Sequence, residues 1–463
     1  MVAGSKRVDG SLLVEAPLDV EGYPETPAGL KLEQVHVYVR HGERTPVRAR
    51  MADPPASIPE IWQMCTVARR FRETVDSTAT PGEPGAEGLW FKKGVETRDG
   101  RTAPNVCLLG DLTDVGKEST YKFGVALRKL YVEKLGFLPG TLQSENQAYF
   151  RSVDIPPSVY MFADCVRSPS STNLSRTIES IEHIVHGLYP QTHCAADVIP
   201  SILVRNKVDE TIVSNILSCP QLGLLESQFA AAAAARWNPR LQTLDKKLSK
   251  YINGKPIRVD GSPRTSGILD TVRSAAAHGI EVPDHFWDPE VIDLIETAVS
   301  DEWFTIKSEE GRRLGMGRLL AEVSTKMQNK IEQAKADPLK ILVYGTHDST
   351  LAALCNTFDV FDDKWPPFTS SVTFELFKKQ LQPERRSSLQ TLLGGLWKSH
   401  SAEEHYIRMR YKNKNMVLPI CAGEGKHLPG SPEFCTFSAF RERVKELTPA
   451  NWTAECSPRT GFV

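Results

Sequence analysis

The seven residues Arg40-His41-Gly42-Glu43-Arg44-Thr45-Pro46 place two guanidinium groups on either side of one imidazole. Arginine keeps its charge throughout the physiological range, and its planar fork matches phosphate oxygens, so two of them close together form an anion clamp. Their charge opposes protonation of His41, which leaves an imidazole nitrogen free to attack phosphorus. Gly42 permits close backbone approach and Pro46 stiffens the exit from the turn. A second polar pair, His347-Asp348, offers what cleavage of a phosphate ester needs: a donor for the transferring phosphoryl group and an acid for the departing oxygen. Taken singly, an Arg-His pair is more often a basic surface turn and a His-Asp pair more often a plain loop, so the combination is what carries chemistry.

Each motif ends a short apolar run. Gln34 to Val39 leads into Arg40-His41, and Lys340 to Tyr344 leads into Gly345-Thr346-His347-Asp348; both read as strands feeding polar turns. A third strand spans Ser371 to Phe377. Thr113 to Lys134 has helical apolar spacing with Thr113 as N-cap, and a helix over about 181–189 ends at Gly187-Leu188-Tyr189-Pro190. Strands separated by helices predict an α/β fold with a mostly parallel sheet flanked by helices, in which ligands bind at the strands' carboxyl ends. Both polar turns therefore belong in one crevice despite their distance along the chain. Residues 221–335, with the run Ala230 to Ala235, are rich in helix formers and read as an inserted helical cap. Residues 1–30 read as an extended lead-in and 51–104 as an irregular excursion. The rest of a single unit over 31–463 forms the α/β core, about 31–50, 105–220 and 336–463.

Bulk properties narrow the setting. The 56 Lys and Arg nearly cancel the 57 Asp and Glu, so no global field draws the protein to nucleic acid or an anionic membrane. No stretch of about 18 apolar residues occurs, and the N-terminal stretch lacks a signal-like apolar run, which points to an intracellular, cytoplasmic protein with no signal peptide or transmembrane segment. The nine cysteines show no CxxC or Cys/His metal spacing. In that compartment reduced thiols are expected, with Cys421 and Cys435 as the pair that would bridge otherwise.

Arg-His-Gly-x-Arg-x-Pro is the signature of the histidine acid phosphatase family (histidine phosphatase superfamily, branch 2), and the sequence resembles that family at every fixed position of the motif. The resemblance covers roughly residues 31–456, including Gly110, Leu112-Thr113, Gly116, Leu135 to Pro139, Ser266 to Asp270 and His405 to Tyr411. It implies a phosphoglycerate mutase-like fold in which His41 is transiently phosphorylated, Asp348 is the proton donor and His347 a phosphate ligand beside Arg40 and Arg44. The family carries a further arginine in a segment Arg-Ser-Thr, three residues, Arg-Thr. Here Phe150-Arg151-Ser152 resembles the first piece, with Arg167-Ser168 a rival for it that fits the preceding spacing less well, and Arg176-Thr177-Ile178-Glu179-Ser180 resembles the second, which in either case makes Arg176 the further phosphate ligand. Residues 157–175 are in excess of the family spacing and read as an insertion or an unspliced segment.

The resemblance thus implies a metal-independent phosphomonoesterase with no cofactor, since three arginines replace the metal, and an acidic optimum, since Asp348 must begin protonated. Likeness to intracellular lysophosphatidic acid phosphatase-like members extends the substrate from a small phosphomonoester to a lysophospholipid. The rivals are a phytase-like enzyme, a phosphomutase, and a non-catalytic phosphate-binding protein should 157–175 displace Arg176.

Overall fold

A computed structural model describes residues 18–66, 70–72, 90–92, 95–96, 100–103, 105–153, 176–304, 307–380 and 404–458. The segment 157–175 and about half of the 51–104 excursion lie outside these residues.

The central sheet is built from β1 (Leu30–Arg40), β2 (Ala148–Ser152), β3 (Ile202–Val204), β4 (Ile341–Thr346), β5 (Ser371–Lys379), β6 (His405–Tyr411), β7 (Lys414–Met416), β8 (His427–Leu428) and β9 (Ser431–Thr436). Their order is β8-β9-β6-β5-β1-β4-β2-β3, with β7 beside β6. The sheet is mixed. The expected parallel pairing holds for β1, β4, β2 and β3, whereas β5, β6, β7, β8 and β9 pair antiparallel. Helical crossovers lead into β2, β3 and β4 of the parallel half, while β6 to β9 follow one another with connections too short for a crossover.

Period-two alternation decides the layers. Val35, Val37 and Val39 of β1 face one side, where α1 (Asp114–Arg128) and α2 (Arg176–Leu188) cover them with Phe123, Leu127, Ile181 and Ile184. Tyr38, Leu342 and Phe374 face the other. As expected, the Thr113 hydroxyl caps α1, accepting from the amide of Gly116.

Helices α3 (Pro220–Leu241), α4 (Thr265–Ala277) and α5 (Pro289–Trp303) form a separate apolar cluster with Met51, Ile58 and Trp62. This cap is smaller than the sequence reading placed it. Helix α6 (Glu309–Gln333), assigned to the cap on helix propensity, instead buries Met316, Leu319, Leu320, Val323 and Met327 on the sheet beside α7 (Asp348–Thr357) and α8 (Phe437–Leu447). Propensity registers that a segment is helical; the direction of its apolar stripe decides which layer it joins.

The expectation of reduced thiols is corrected. Disulfides join Cys65 to Cys107, Cys219 to Cys456 and Cys421 to Cys435, leaving Cys194 and Cys355 free among the described residues. Two of these pairs are remote in sequence, so only the fold brings them together. Among the described residues no helix is long and apolar enough to cross a membrane.

Candidate active site

The register of the parallel half brings the motifs together. Arg40 ends β1 opposite Thr346 at the end of β4, and Gly345 of β4 lies opposite Ser152 at the end of β2. His41, His347 and the entry to α2 therefore emerge at the same edge of three adjacent strands. The His41 amide donates to the Thr346 carbonyl at 3.0 Å, and the two imidazole centroids are 5.4 Å apart.

Close backbone packing holds the turn after β1. A Cβ on Gly42 would lie 2.4 Å from the Gly116 carbonyl oxygen, and one on Gly116 would lie 2.1 Å from that of Glu43. No other residue type fits either position without moving backbone. The Gly42 amide donates to Ser180 Oγ at 3.1 Å, which joins the turn to α2. On β4, a Cβ on Gly345 would meet Ile181 at 2.4 Å, so α2 lies directly on the strand and its first residue, Arg176, reaches the same crevice.

His41 is buried, and its Nδ1 makes a 2.9 Å contact with its neighbour's carbonyl, Gly42 O. A carbonyl only accepts, so Nδ1 carries the proton and Nε2 has the free lone pair. Burial is the main force holding the His41 pKa well below 6.5, followed by repulsion from Arg176, Arg40 and Arg44. Arginine charge, the cause expected from the sequence, thus ranks second. His347 is pushed down to about 3, by burial first and then by Arg176. Both imidazoles are neutral.

Arg40 and Arg44 each face a carboxylate. Arg40 Nη2 lies 2.6 Å from Asp348 Oδ2, and Arg44 Nη2 lies 2.8 Å from Asp270 Oδ1. Burial pushes the Asp348 carboxyl up, but Arg40, His347 and Arg44 outweigh it, leaving the group below its ordinary 3.8. Arg176 is driven down to about 9, by burial first and then by Arg44, and it stays charged. Its Nε and His347 Nε2 are buried without a hydrogen-bond partner in the protein.

Residues 31–156 and 166–412 match the histidine phosphatase superfamily (branch 2). The chain belongs to this family. A probable acid phosphatase of Schizosaccharomyces pombe is 31% identical to it, over 97% of this chain and 98% of that one. The lysophosphatidic acid phosphatase type 6 of Homo sapiens is 26% identical over 75% and 74%. Among solved structures, the Hafnia alvei phytase in complex with tartrate superposes with a TM-score of 0.54 at 14% identity, covering 93% of this chain and 99% of that one. The phytase from Citrobacter braakii gives 0.53 at 15% identity, over 92% and 99%. These two structures bear on the fold alone.

Within this histidine phosphatase fold, four of the residues singled out from the sequence, Arg44, Arg176, His347 and Asp348, line one cavity, with Arg40 paired to Asp348 and His41 packed against His347. Arg151 does not join them: it is buried in ion pairs with Glu210 and, at 3.0 Å, Glu322. Sequence reasoning missed Asp270 of α4, which ties cap to core by taking Arg44 on one oxygen and the Val47 amide, at 3.1 Å, on the other. Nor did it single out Trp365 or Phe368. Phe368 lies under the Arg40 guanidinium at 4.2 Å, and the Trp365 indole N–H donates to Asp348 Oδ2 at 3.1 Å. No local signal marks these residues, because their roles come from the cap and the α7–β5 loop folding over a site encoded elsewhere.

Proposed function

We propose that this chain is an acid phosphatase that hydrolyses phosphomonoesters through a phosphohistidine on His41, without a metal ion. The supporting observation is a neutral His41 with its Nε2 lone pair free, beside three arginines and next to the His347-Asp348 pair. Nε2 attacks phosphorus as the ester P–O bond breaks, and Asp348 gives its proton to the departing alkoxide. A water oxygen then attacks phosphorus and yields a proton to the Asp348 carboxylate; the P–N bond breaks and His41 returns neutral. Arg40, Arg44, Arg176 and His347 bind the phosphoryl oxygens, supplying the charge stabilisation that dominates phosphoryl transfer. The names of the yeast and human relatives support a phosphomonoester as substrate, with a lysophospholipid as one such ester.

The pH dependence follows from the sign of the Asp348 shift. Reaction needs Asp348 protonated, with a pKa below 3.8, and the substrate phosphate doubly ionised, with a pKa of about 6. Between these values the loss of one form offsets the gain of the other. We therefore expect kcat/KM for glycerol 2-phosphate, whose alkoxide needs that proton to leave, to be level between about pH 4 and 6 and to fall about tenfold per unit above it. The downward shift of the His41 pKa moves any limb from the imidazole to lower pH. The assay is run with EDTA present; loss of activity on chelation, or a rate that rises towards pH 8, contradicts the reading.

The segment 157–175 we take as an insertion or unspliced segment. In support, the flanking residues meet: Thr177 Oγ1 donates to the Val153 carbonyl at 2.6 Å, and the family match leaves out residues 157–165, the first part of the segment. Sequencing the transcript across codons 150–180 decides between the two, an abundant message carrying the whole segment being the mark of a true insertion. As to location, three disulfides favour an oxidising compartment. An intracellular placement then means a lumenal one, and the cytoplasm gives way.

A further inference from the structure

Asp348 has to release a proton at one moment and take one back at the next, so its carboxylate must keep its orientation through both steps. Three donors fix it: Arg40 Nη2 at 2.6 Å and Trp365 Nε1 at 3.1 Å on Oδ2, and the Ser349 amide at 2.8 Å on Oδ1. Arg40 must also serve the phosphoryl oxygens once substrate enters. The indole of Trp365 has one N–H and no second task, so it remains on Oδ2 when Arg40 turns to phosphate.

Trp365 belongs to the loop between α7 and β5, yet the cap holds it. Its backbone amide donates to Glu296 Oε1 of α5 at 2.7 Å, and its carbonyl accepts from Arg273 Nη1 of α4 at 3.3 Å. Arg273 and Glu296 pair with each other at 2.6 Å. Both polar groups of one peptide unit's neighbourhood are thus taken by a single ion pair of the cap. The ring packs against Phe304 at 4.9 Å and Trp303 at 6.0 Å, so the indole plane is set as well.

We propose that Trp365 is a positioning residue for the general acid, and that the Arg273–Glu296 pair makes the cap responsible for that position. The inference rests on the reading of Asp348 as proton donor. Its consequence is selective. An alkoxide needs a proton to leave, whereas p-nitrophenolate departs readily without one, so a misplaced acid penalises alkyl esters far more than the aryl ester.

The experiment compares kcat/KM for glycerol 2-phosphate and p-nitrophenyl phosphate in the unmodified protein, Trp365→Phe, the double variant Arg273→Met with Glu296→Leu, and Asp348→Asn. The double variant removes both charges together, which avoids stranding one in the interior. The expected result is a fall of about tenfold or more in the alkyl-to-aryl ratio for Trp365→Phe, with the double variant moving in the same direction. Binding of inorganic phosphate by each variant establishes that the clamp is folded. A ratio unchanged in both variants while Asp348→Asn lowers it overturns the role of Trp365 and leaves the mechanism intact. A ratio unchanged in Asp348→Asn itself overturns the assignment of Asp348 and, with it, this inference.

Discussion

Replacement of His41 by alanine is expected to lower kcat/KM for p-nitrophenyl phosphate by about 10⁴-fold or more, since it removes the nucleophile that forms the covalent intermediate. The size of the effect follows from how the imidazole is prepared. Burial keeps it neutral, its Nδ1–H is committed to the Gly42 carbonyl, and Nε2 is thereby the reactive nitrogen. Arg40, Arg44 and Arg176 are untouched by the substitution, so inorganic phosphate should bind with an affinity within several-fold of the unmodified protein. Titration with phosphate beside the rate assay separates loss of the nucleophile from loss of the site; a variant that keeps more than a few per cent of its activity would show that water attacks phosphorus directly.

Asp348→Asn should act differently. Asparagine keeps the shape and can accept from Arg40, but it neither donates a carboxyl proton nor accepts one from water. For an alkyl phosphate the expected loss in kcat/KM is about 10²- to 10⁴-fold, the usual worth of a positioned general acid. For p-nitrophenyl phosphate the first step needs little protonation, so the loss there is smaller and the second step becomes limiting. The alkaline limb of the alkyl ester's kcat/KM profile should disappear as well, since Asp348 is the group whose proton that limb reports. Stopped-flow release of p-nitrophenolate should show a burst followed by a slow steady state. Equal losses for the two esters, with no burst, would assign the proton to another group.

What could be read in advance was local. Arg40 to Pro46 and His347-Asp348 sit at strand ends, and strand, turn and chemistry are all encoded within a few residues. Register then does the rest, because opposing Arg40 to Thr346 forces the two turns together. What could not be read depended on tertiary direction. Helix α6 has the composition of a cap helix but turns its apolar stripe to the sheet. Asp270 is one carboxylate among many until α4 brings it within 2.8 Å of Arg44. Trp365 reads as an aromatic wall until the cap fixes its backbone and points its N–H at the acid. The disulfide joining Cys219 to Cys456 ties the start of α3 to the chain's C-terminal region, a proximity with no trace in spacing. The mixed character of the sheet arises likewise from the short connections that follow β6, which the strand pattern alone does not distinguish.

The most direct test of the account is to trap the intermediate. Asp348→Asn is mixed with p-nitrophenyl phosphate labelled in the phosphoryl group, quenched in alkali within the burst, digested and analysed by mass spectrometry. Acid-labile, alkali-stable phosphate on the peptide containing His41, absent when His41→Ala is added, is the predicted result. Phosphate on any other residue, or a burst that leaves no phosphate on the protein, would contradict it.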